Sequence, residues 1–592
     1  MQKISIQYGA NTLEEYRRLA QLAKDLGATH LSVSQVESAM WLWNQNRYDP
    51  YPNWCIDRPS IFRFIVPDAL KPYLPQDYAD RNLKMLIARA EILKEFGLKA
   101  TFDGMEPAYL PEQVYRDHPT WRGPRCDQAR RARTEYYAPC IDNPEVRAMY
   151  VEAVCKLCEV APFESFNFLT NDSGGGLCWA EGLYPGKNGP MNCANKSIGD
   201  RISDFMSMFQ EGAALAGCET EVNVYHIDPL DEAAALPKLK KKQAVNNRTM
   251  TTSSRSFTIG FSAMRSDHTT PVALLPRMVA YAEKMQKAQD DYESNLVIGV
   301  RSINDHDTVA FLRKYFRKME PGAVGRYKAL TDMATEFVGE KYANTLVDVW
   351  DLIEKATACF DYLATGGHIF SLGTVHQRWL TRPFVAFPGE LTAQEKEYYR
   401  PFQFQAQTEE DADNMLDLQA HRWIGGYSGQ NLINKTVSQA LPYLNQAVSL
   451  VEKIRHEAGD IPYQKTLKHI ILRLKMYICI IRNANNVCSF QTILDRTDYN
   501  EVPVDKTPII REQGDIRYFK VNQIIRNEID NTLEMISLLE QAEEPILQVA
   551  ESEEFESVMI FGPDIINDFK KKIDIMENHR RDFERLYKSY NL

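Results

Sequence analysis

Apolar and polar positions alternate in two different rhythms along this chain. The first half switches repeatedly between a period of two and a period of about 3.6, the marks of strand and helix. Ile4–Tyr8 alternates and stops at Gly9. Thr12, with Glu15 three residues later, reads as a capping box that opens a helix. Leu13, Tyr16, Leu19, Ala20, Ala23 and Leu26 form its apolar stripe, and Gly27 ends it before a strand over Thr29–Gln35.

The same unit recurs. A helix over Asp77–Phe96 stops at Gly97 and leads to strand Leu98–Asp103. Asn143-Pro144 starts a helix with proline in the first turn. That helix, Glu145–Val160, precedes strand Ser165–Asn171. Helix Ile198–Ala216 precedes strand Glu221–Tyr225. Strand Phe257–Phe261, helix Pro271–Ala288 and strand Asn295–Val300 complete the series. An eighth strand is sought near Ile61–Val66 or His368–Leu372.

Repeated βα units imply parallel strands with right-handed crossovers. Over this length they predict an α/β fold of the (β/α)₈ barrel type, for which about 250 residues suffice. The rival, an open doubly wound sheet, would favour a G-x-G-x-x-G after the first strand. The chain has Gly9-Ala10-Asn11 there. From about Val324 the rhythm is helical: Tyr327–Phe337, Lys341–Leu363, Lys435–His456, Gln464–Ala484, Tyr518–Ala542 and Ile565–Tyr590 all read as amphipathic helices. The expected domains are therefore a barrel over 1–323 and a mainly α-helical C-terminal region over 324–592. The polar segment Asp495–Gly514 marks a split between two subdomains.

Composition narrows the function classes. The 592 residues carry 69 basic and 80 acidic side chains, a formal charge of −11. A nucleic-acid binder needs concentrated positive surface, so that class is disfavoured. No apolar run approaches the ~18 residues of a membrane span, and the most apolar stretch, Met476–Ile481, lies inside a helix pattern. Eleven scattered cysteines suit a reducing compartment. With no basic leader at Met1, a cytoplasmic location is expected, or a periplasmic or secreted one if a leader has been removed. Cys155 and Cys158 have C-x-x-C spacing but sit within a helix pattern, where core packing is the expected role.

In a barrel, the C-terminal ends of the strands face the active site. Trp41 and Trp43 follow the second strand; Asp103 and Glu106 the third. Asn171, Asp172, a Gly174-Gly175-Gly176 run and Trp179 follow the fourth. His226 and Asp228 follow the fifth, Arg265, Asp267 and His268 the sixth, and Arg301, Asp305 and His306 the seventh. Aromatic faces, carboxylates and hydrogen-bond donors are what sugar rings require. Glycoside hydrolysis uses two carboxyl groups flanking the scissile bond, one of them protonated near neutral pH. The His and Asp residues at adjacent strand ends also suit a divalent metal, but their spacing forms no compact metal motif. No metal or cofactor is expected. Arg378 and Arg382 lie in an irregular donor-rich segment. They suit either a clamp on a substrate carboxylate or a tie between the two domains.

The order Asp142-Asn143-Pro144-Glu145-Val146-Arg147, helix, strand, then Asn171-Asp172-Ser173-Gly174 resembles the α-glucuronidases that remove glucuronic acid from xylan side chains. Ala334–Glu340 and the helix after it resemble the start of their C-terminal domain. The resemblance implies a (β/α)₈ barrel, a helical appendage and a carboxylic acid after the fourth strand. That family has Asn-Ser-Glu-Gly there, with its acid at the place of Ser173; here the carboxylate is one position earlier, at Asp172. A more distant similarity links the chain to barrel β-N-acetylhexosaminidases, which carry Asp-Glu where this chain has Asn171-Asp172.

The reading is a glycoside hydrolase cleaving an O-glycosidic bond of a glycan-derived oligosaccharide. Asp172 is the expected acid, with Glu106, Asp228, Asp267 and Asp305 as candidates for the second carboxylate. Asn171, Trp41, Trp43, Asp103, Trp179, His226, Arg265, His268, Arg301 and Arg378 are the expected sugar contacts. The alternatives are a metal-dependent barrel isomerase or lyase of sugars or sugar acids, and a glycan-binding protein on a hydrolase-like barrel. The expected partner is a carbohydrate, with neither nucleic acid nor membrane. The helical region is the expected place of any homodimer contact.

Overall fold

In the computed structural model, eight parallel strands form one curled sheet. The structure describes residues 4–10, 12–36, 59–126, 137–170, 176, 192–193, 195–227, 229–247, 256–261, 277–290, 295–303, 306–361, 379–399, 426–459, 463–494, 516–547, 549 and 561–587. Two compact units emerge: residues 1–261 with 284–318, and residues 262–283 with 319–592.

The first unit holds the sheet. Its strands are β1 (Ile4–Gly9), β2 (His30–Ser32), β3 (Lys99–Met105), β6 (Phe163–Leu169), β7 (Glu221–Ile227), β8 (Gln243–Asn247), β9 (Ser256–Phe261) and β10 (Asn295–Ser302). A separate antiparallel pair, β4 (Arg122–Arg125) and β5 (Tyr137–Pro139), was not foreseen. The sheet order is β8-β7-β6-β3-β2-β1-β10-β9. The first strand thus pairs with the last, as sequential order around a barrel requires. Among the described residues the sheet is a curled parallel one whose end strands, β8 and β9, are not joined by pairing.

Helices α1 (Leu13–Asp25), α2 (Gln76–Phe96), α3 (Pro144–Val160) and α4 (Ile198–Leu215) follow the sequence expectations closely. Thr12 and Glu15 form the reciprocal capping box. Asn143 accepts from the N–H groups of Glu145 and Val146 at the start of α3. Gly97 closes α2 with φ of 70°, a conformation an L side chain adopts only with strain. Cys158 is buried in α3, and burial pushes its thiol pKa up, which fits a packing role.

The eighth strand is a correction. Ile61–Val66 does not form it; Ile61–Arg63 is a 3₁₀ turn. The strand is β8, a short segment directly after the lysine run Lys240–Lys242. His368–Leu372 lies outside the described residues.

The second unit is helical. It holds α5 (Gly322–Val338), α6 (Glu340–Asp361), α7 (Gly426–Glu457), α8 (Gln464–Leu494), α9 (Ile516–Gln541) and α10 (Ile565–Asn578). The apolar run Met476–Ile481 lies buried in α8. No helix among the described residues is long and apolar enough to cross a membrane. At the centre, Glu528 accepts from Lys572 Nζ and from the amides of Asn483 (2.6 Å) and Asn486 (2.8 Å). Arg382 is buried; its Nη2 donates to Gln491 (2.9 Å) and its guanidinium lies over the Phe490 ring. Both partners belong to the same unit as Arg382.

Candidate active site on the sheet

Strand alternation sorts the side chains of the sheet between two faces. On one face Phe102 packs against Phe166 and Phe168, which in turn meet Phe205 and Phe209 of α4, with the Phe168 and Phe209 ring centres 4.4 Å apart. All five rings are buried. The opposite face carries Thr101 and Asp103 of β3, Ser165 and Asn167 of β6, and Glu221 and Asn223 of β7. Register places these in rows: Thr101 beside Ser165 beside Glu221, and Asp103 beside Asn167 beside Asn223.

The second row is hydrogen-bonded across three strands. Asn223 Nδ2 donates to Asn167 Oδ1 (2.9 Å), and Asn167 Nδ2 donates to Asp103 Oδ1 (3.0 Å). Thr101 Oγ1 donates to Asp103 Oδ2 (2.8 Å). Because a carboxylate only accepts, it fixes which way each amide in the chain points. Exposure grows along the row: Asp103 is 7% exposed, while Asn167 and Asn223 are half-buried. Tyr225, two residues beyond Asn223, is also half-buried; burial and the charges of Asp103 and Glu221 hold its phenol above the usual range.

Neighbouring groups lock this carboxylate in place. The Ser34 hydroxyl donates to the Asp103 carbonyl (2.6 Å) and accepts from its N–H (2.9 Å). The hydroxyl of Tyr16 donates to the Ser32 carbonyl (2.7 Å). Arg89, buried on α2, donates to the carbonyls of Val33 (3.3 Å) and Gln35 (2.5 Å) and lies over the Tyr16 ring. The short strand β2 is thereby held beyond its last ladder bond, at the point where the chain departs towards Trp41 and Trp43.

Glu106 has a different setting. It is fully buried. Oε1 accepts from the Ile61 N–H (2.7 Å) and Ser60 Oγ (3.0 Å). Oε2 accepts from the Ala108 N–H (3.1 Å) and the Tyr150 hydroxyl (2.8 Å). Burial raises its pKa, and those four donors oppose the rise. This carboxyl group pins the 59–61 segment and the turn after β3 to α3. Its four hydrogen bonds are spent inside the protein.

The structure therefore brings Asp103 into a polar row and buries Glu106 among donors of its own. His226 lies in β7 and Arg301 in β10, but their side chains are outside what is described. Trp41, Trp43, Asn171, Asp172, Trp179, Asp228, Arg265, Asp267, His268, Asp305 and Arg378 lie outside the described residues. Asn167, Asn223, Ser34 and Tyr225 are further candidate site residues, which the reading of strand ends missed. Among the described residues, no group of three or more His, Cys, Asp or Glu side chains is gathered as metal ligands would be.

No protein-family model and no curated protein sequence matches the chain. Solved structures similar to it include glycoside hydrolases. A GH138 enzyme targeting pectin rhamnogalacturonan II is 9% identical over 98% of this chain and 84% of its own, with a TM-score of 0.47. A mutant O-GlcNAc hydrolase of Thermobaculum terrenum is 8% identical over 98% and 96%, at 0.35. The chitobiase of Flavobacterium johnsoniae is 9% identical over 97% and 78%, at 0.34. At these identities and scores, no residue of the site is matched to a residue of theirs.

Proposed function

We propose that this protein is a glycoside hydrolase acting on an O-glycosidic bond of a glycan-derived oligosaccharide. The observation that carries the reading is the Asp103–Asn167–Asn223 row on the polar face of the sheet. Parallel strands flanked by helices on both sides are ordinarily apolar on both faces. Here one face offers a carboxylate and two aligned amides, which match the donors and acceptors of sugar hydroxyls. Strand order supports a barrel-like arrangement, in which the segments following β3, β6 and β7 belong to one rim.

In this reading Asp172, three residues after β6 ends at Leu169, protonates the departing glycosidic oxygen. A second carboxylate from Asp228, Asp267 or Asp305 supports the oxocarbenium-like transition state or activates water. A separation of about 5–5.5 Å between the two would make the enzyme retaining, and about 6.5–9.5 Å inverting. Asp103 and its amides hold hydroxyl groups of the sugar. Asn171, His226, His268, Trp41, Trp43 and Trp179 complete the contacts. If the sugar is a uronic acid, as the α-glucuronidase resemblance implies, Arg265, Arg301 or Arg378 holds its carboxylate.

The test is release of sugar from a panel of p-nitrophenyl glycosides and natural oligosaccharides, wild type beside Asp172→Asn. The expected result is turnover of one glycoside by the wild type and a loss of about 10²–10⁴-fold in kcat in the variant. Equal turnover by both proteins would remove Asp172 from the mechanism. Sugar binding without turnover by the wild type would replace a hydrolase with a binding protein.

A further inference from the structure

The C-terminal end of the helical unit is held by an imidazole with carboxylates on both sides. His579 follows α10. Its Nδ1 lies 2.8 Å from Asp582 Oδ2, and its Nε2 lies 3.1 Å from Glu395 Oε2. Asp582 belongs to the same turn; Glu395 belongs to α11 (Ala393–Tyr399), far away in sequence. The three side chains are 16%, 30% and 14% exposed.

Geometry alone fixes the proton count. A neutral imidazole carries one N–H and one lone pair, so it serves only one of two facing carboxylates. The other carboxylate would then face a nitrogen lone pair. Only the imidazolium donates at both positions. We propose that His579 is a proton-dependent latch that fastens the 579–587 segment to α11 when its ring is protonated and loosens that contact when the proton leaves.

The surroundings make histidine the variable part of this contact. Arg585, one turn further on, is engaged by Glu390 through two hydrogen bonds of 2.8 and 3.0 Å and lies over the Phe387 ring. The hydrogen bonds to Glu390 raise the Arg585 pKa above its already high ordinary value, so this cation does not vary near neutrality. Arg580 pairs with Glu577 at the end of α10, and Arg581 pairs with Glu584. Glu395 is itself fixed by the N–H and hydroxyl of Thr392. Burial opposes the charged ring, but the hydrogen bonds to Asp582 and Glu395 outweigh it and raise the His579 pKa above its ordinary value. Burial likewise works against the Glu395 carboxylate, and the bonds from Thr392 and His579 more than offset it, so its pKa falls. For a group whose folded pKa is raised, the contribution is full below the unfolded value and is lost as pH rises through the folded one. The latch is therefore fully closed below the ordinary histidine value and opens as pH rises through the raised one.

Hydrogen exchange followed by mass spectrometry tests this on the full chain. Peptides covering 388–399 and 579–587 are compared at pH 6 and pH 8.5, after correction for intrinsic exchange rates. The expected wild-type result is a fall in protection of several-fold at the higher pH, confined to these two segments. His579→Gln should show the lower protection at both pH values, and Asp582→Asn should reduce the pH effect while Glu395 still holds one nitrogen. A wild-type protein with the same protection at both pH values would overturn the latch. So would a His579→Gln protein that keeps the full pH effect, and Asp582→Asn decides the matter if His579→Gln fails to fold.

Discussion

Asp103 in the sheet unit and Glu528 in the helical unit are both buried carboxylates that accept from asparagine amides. Around Glu528 the network closes on itself. Asn483, Asn486 and Lys572 are all buried, and Lys572 also donates to the Leu380 carbonyl (2.8 Å). Burial lowers the Lys572 pKa, and its pairing with Glu528 opposes that fall. Around Asp103 the network instead runs outwards, through Asn167 to Asn223, into half-buried ground. A closed polar network of this kind fixes how α8, α9 and α10 meet. An open one, with its amides oriented by a carboxylate at the buried end, is prepared for a ligand. Polarity alone does not separate scaffold from site; the direction in which the hydrogen bonds lead does.

The sharpest way to break that comparison is at the closed network. Glu528→Ala removes the carboxylate shared by Lys572, Asn483 and Asn486, leaving the buried ammonium only the Leu380 carbonyl and Asn483 only the Trp379 carbonyl. The expected cost is about 3–5 kcal/mol, as for breaking a buried ion pair, read from chemical denaturation of the full chain. A cost near zero would mean that water reaches this cluster and that it is not closed.

Glu106 gives a second case on the sheet unit. Its removal in Glu106→Ala orphans the N–H groups of Ile61 and Ala108 and the hydroxyls of Ser60 and Tyr150. At about 1–3 kcal/mol for a buried donor left unsatisfied, the melting temperature should fall clearly. The carboxyl itself also titrates. Its folded pKa is raised by burial, so the folded state holds the proton more tightly than the unfolded state. Stability should then decline as pH rises from the ordinary carboxylate range towards the raised value. Melts across acidic pH should show that decline in the wild type and a flatter profile in Glu106→Gln. An identical profile in the variant would contradict the assignment.

Much of the fold was legible because its signals are local. The capping box at Thr12 and Glu15, the proline-led start at Asn143 and the glycine stops at Gly27 and Gly97 all act within one helical turn. β8 escaped because Gln243–Asn247 is short and polar and follows lysines, so its strand character comes from pairing with β7 and not from its own pattern. Ile61–Val66 looked like a strand because it is apolar; in the fold its apolar residues are buried in a 3₁₀ turn, Ile61–Arg63, and the residues after it, with the turn tied to Glu106. Of the site, Asp103 was legible from its place near a strand end. Asn167 and Asn223 were not, because they lie inside strands. Their signal was the alternation Ser165-Phe166-Asn167-Phe168, which marks one polar face on a strand expected to be apolar on both.

The account stands on the claim that the open row serves a ligand and not the fold, and Asp103→Asn tests it most directly. Asparagine keeps one acceptor oxygen for Thr101 or Asn167 but no longer fixes the amide directions along the row. Melting temperature and kcat/KM on the glycoside released fastest by the wild type are measured side by side. The prediction is a stability change within about 1 kcal/mol and a fall of about tenfold or more in kcat/KM, equivalent to ~1.4 kcal/mol. A variant that melts many degrees lower while turning over substrate at the wild-type rate would show that the row belongs to the scaffold.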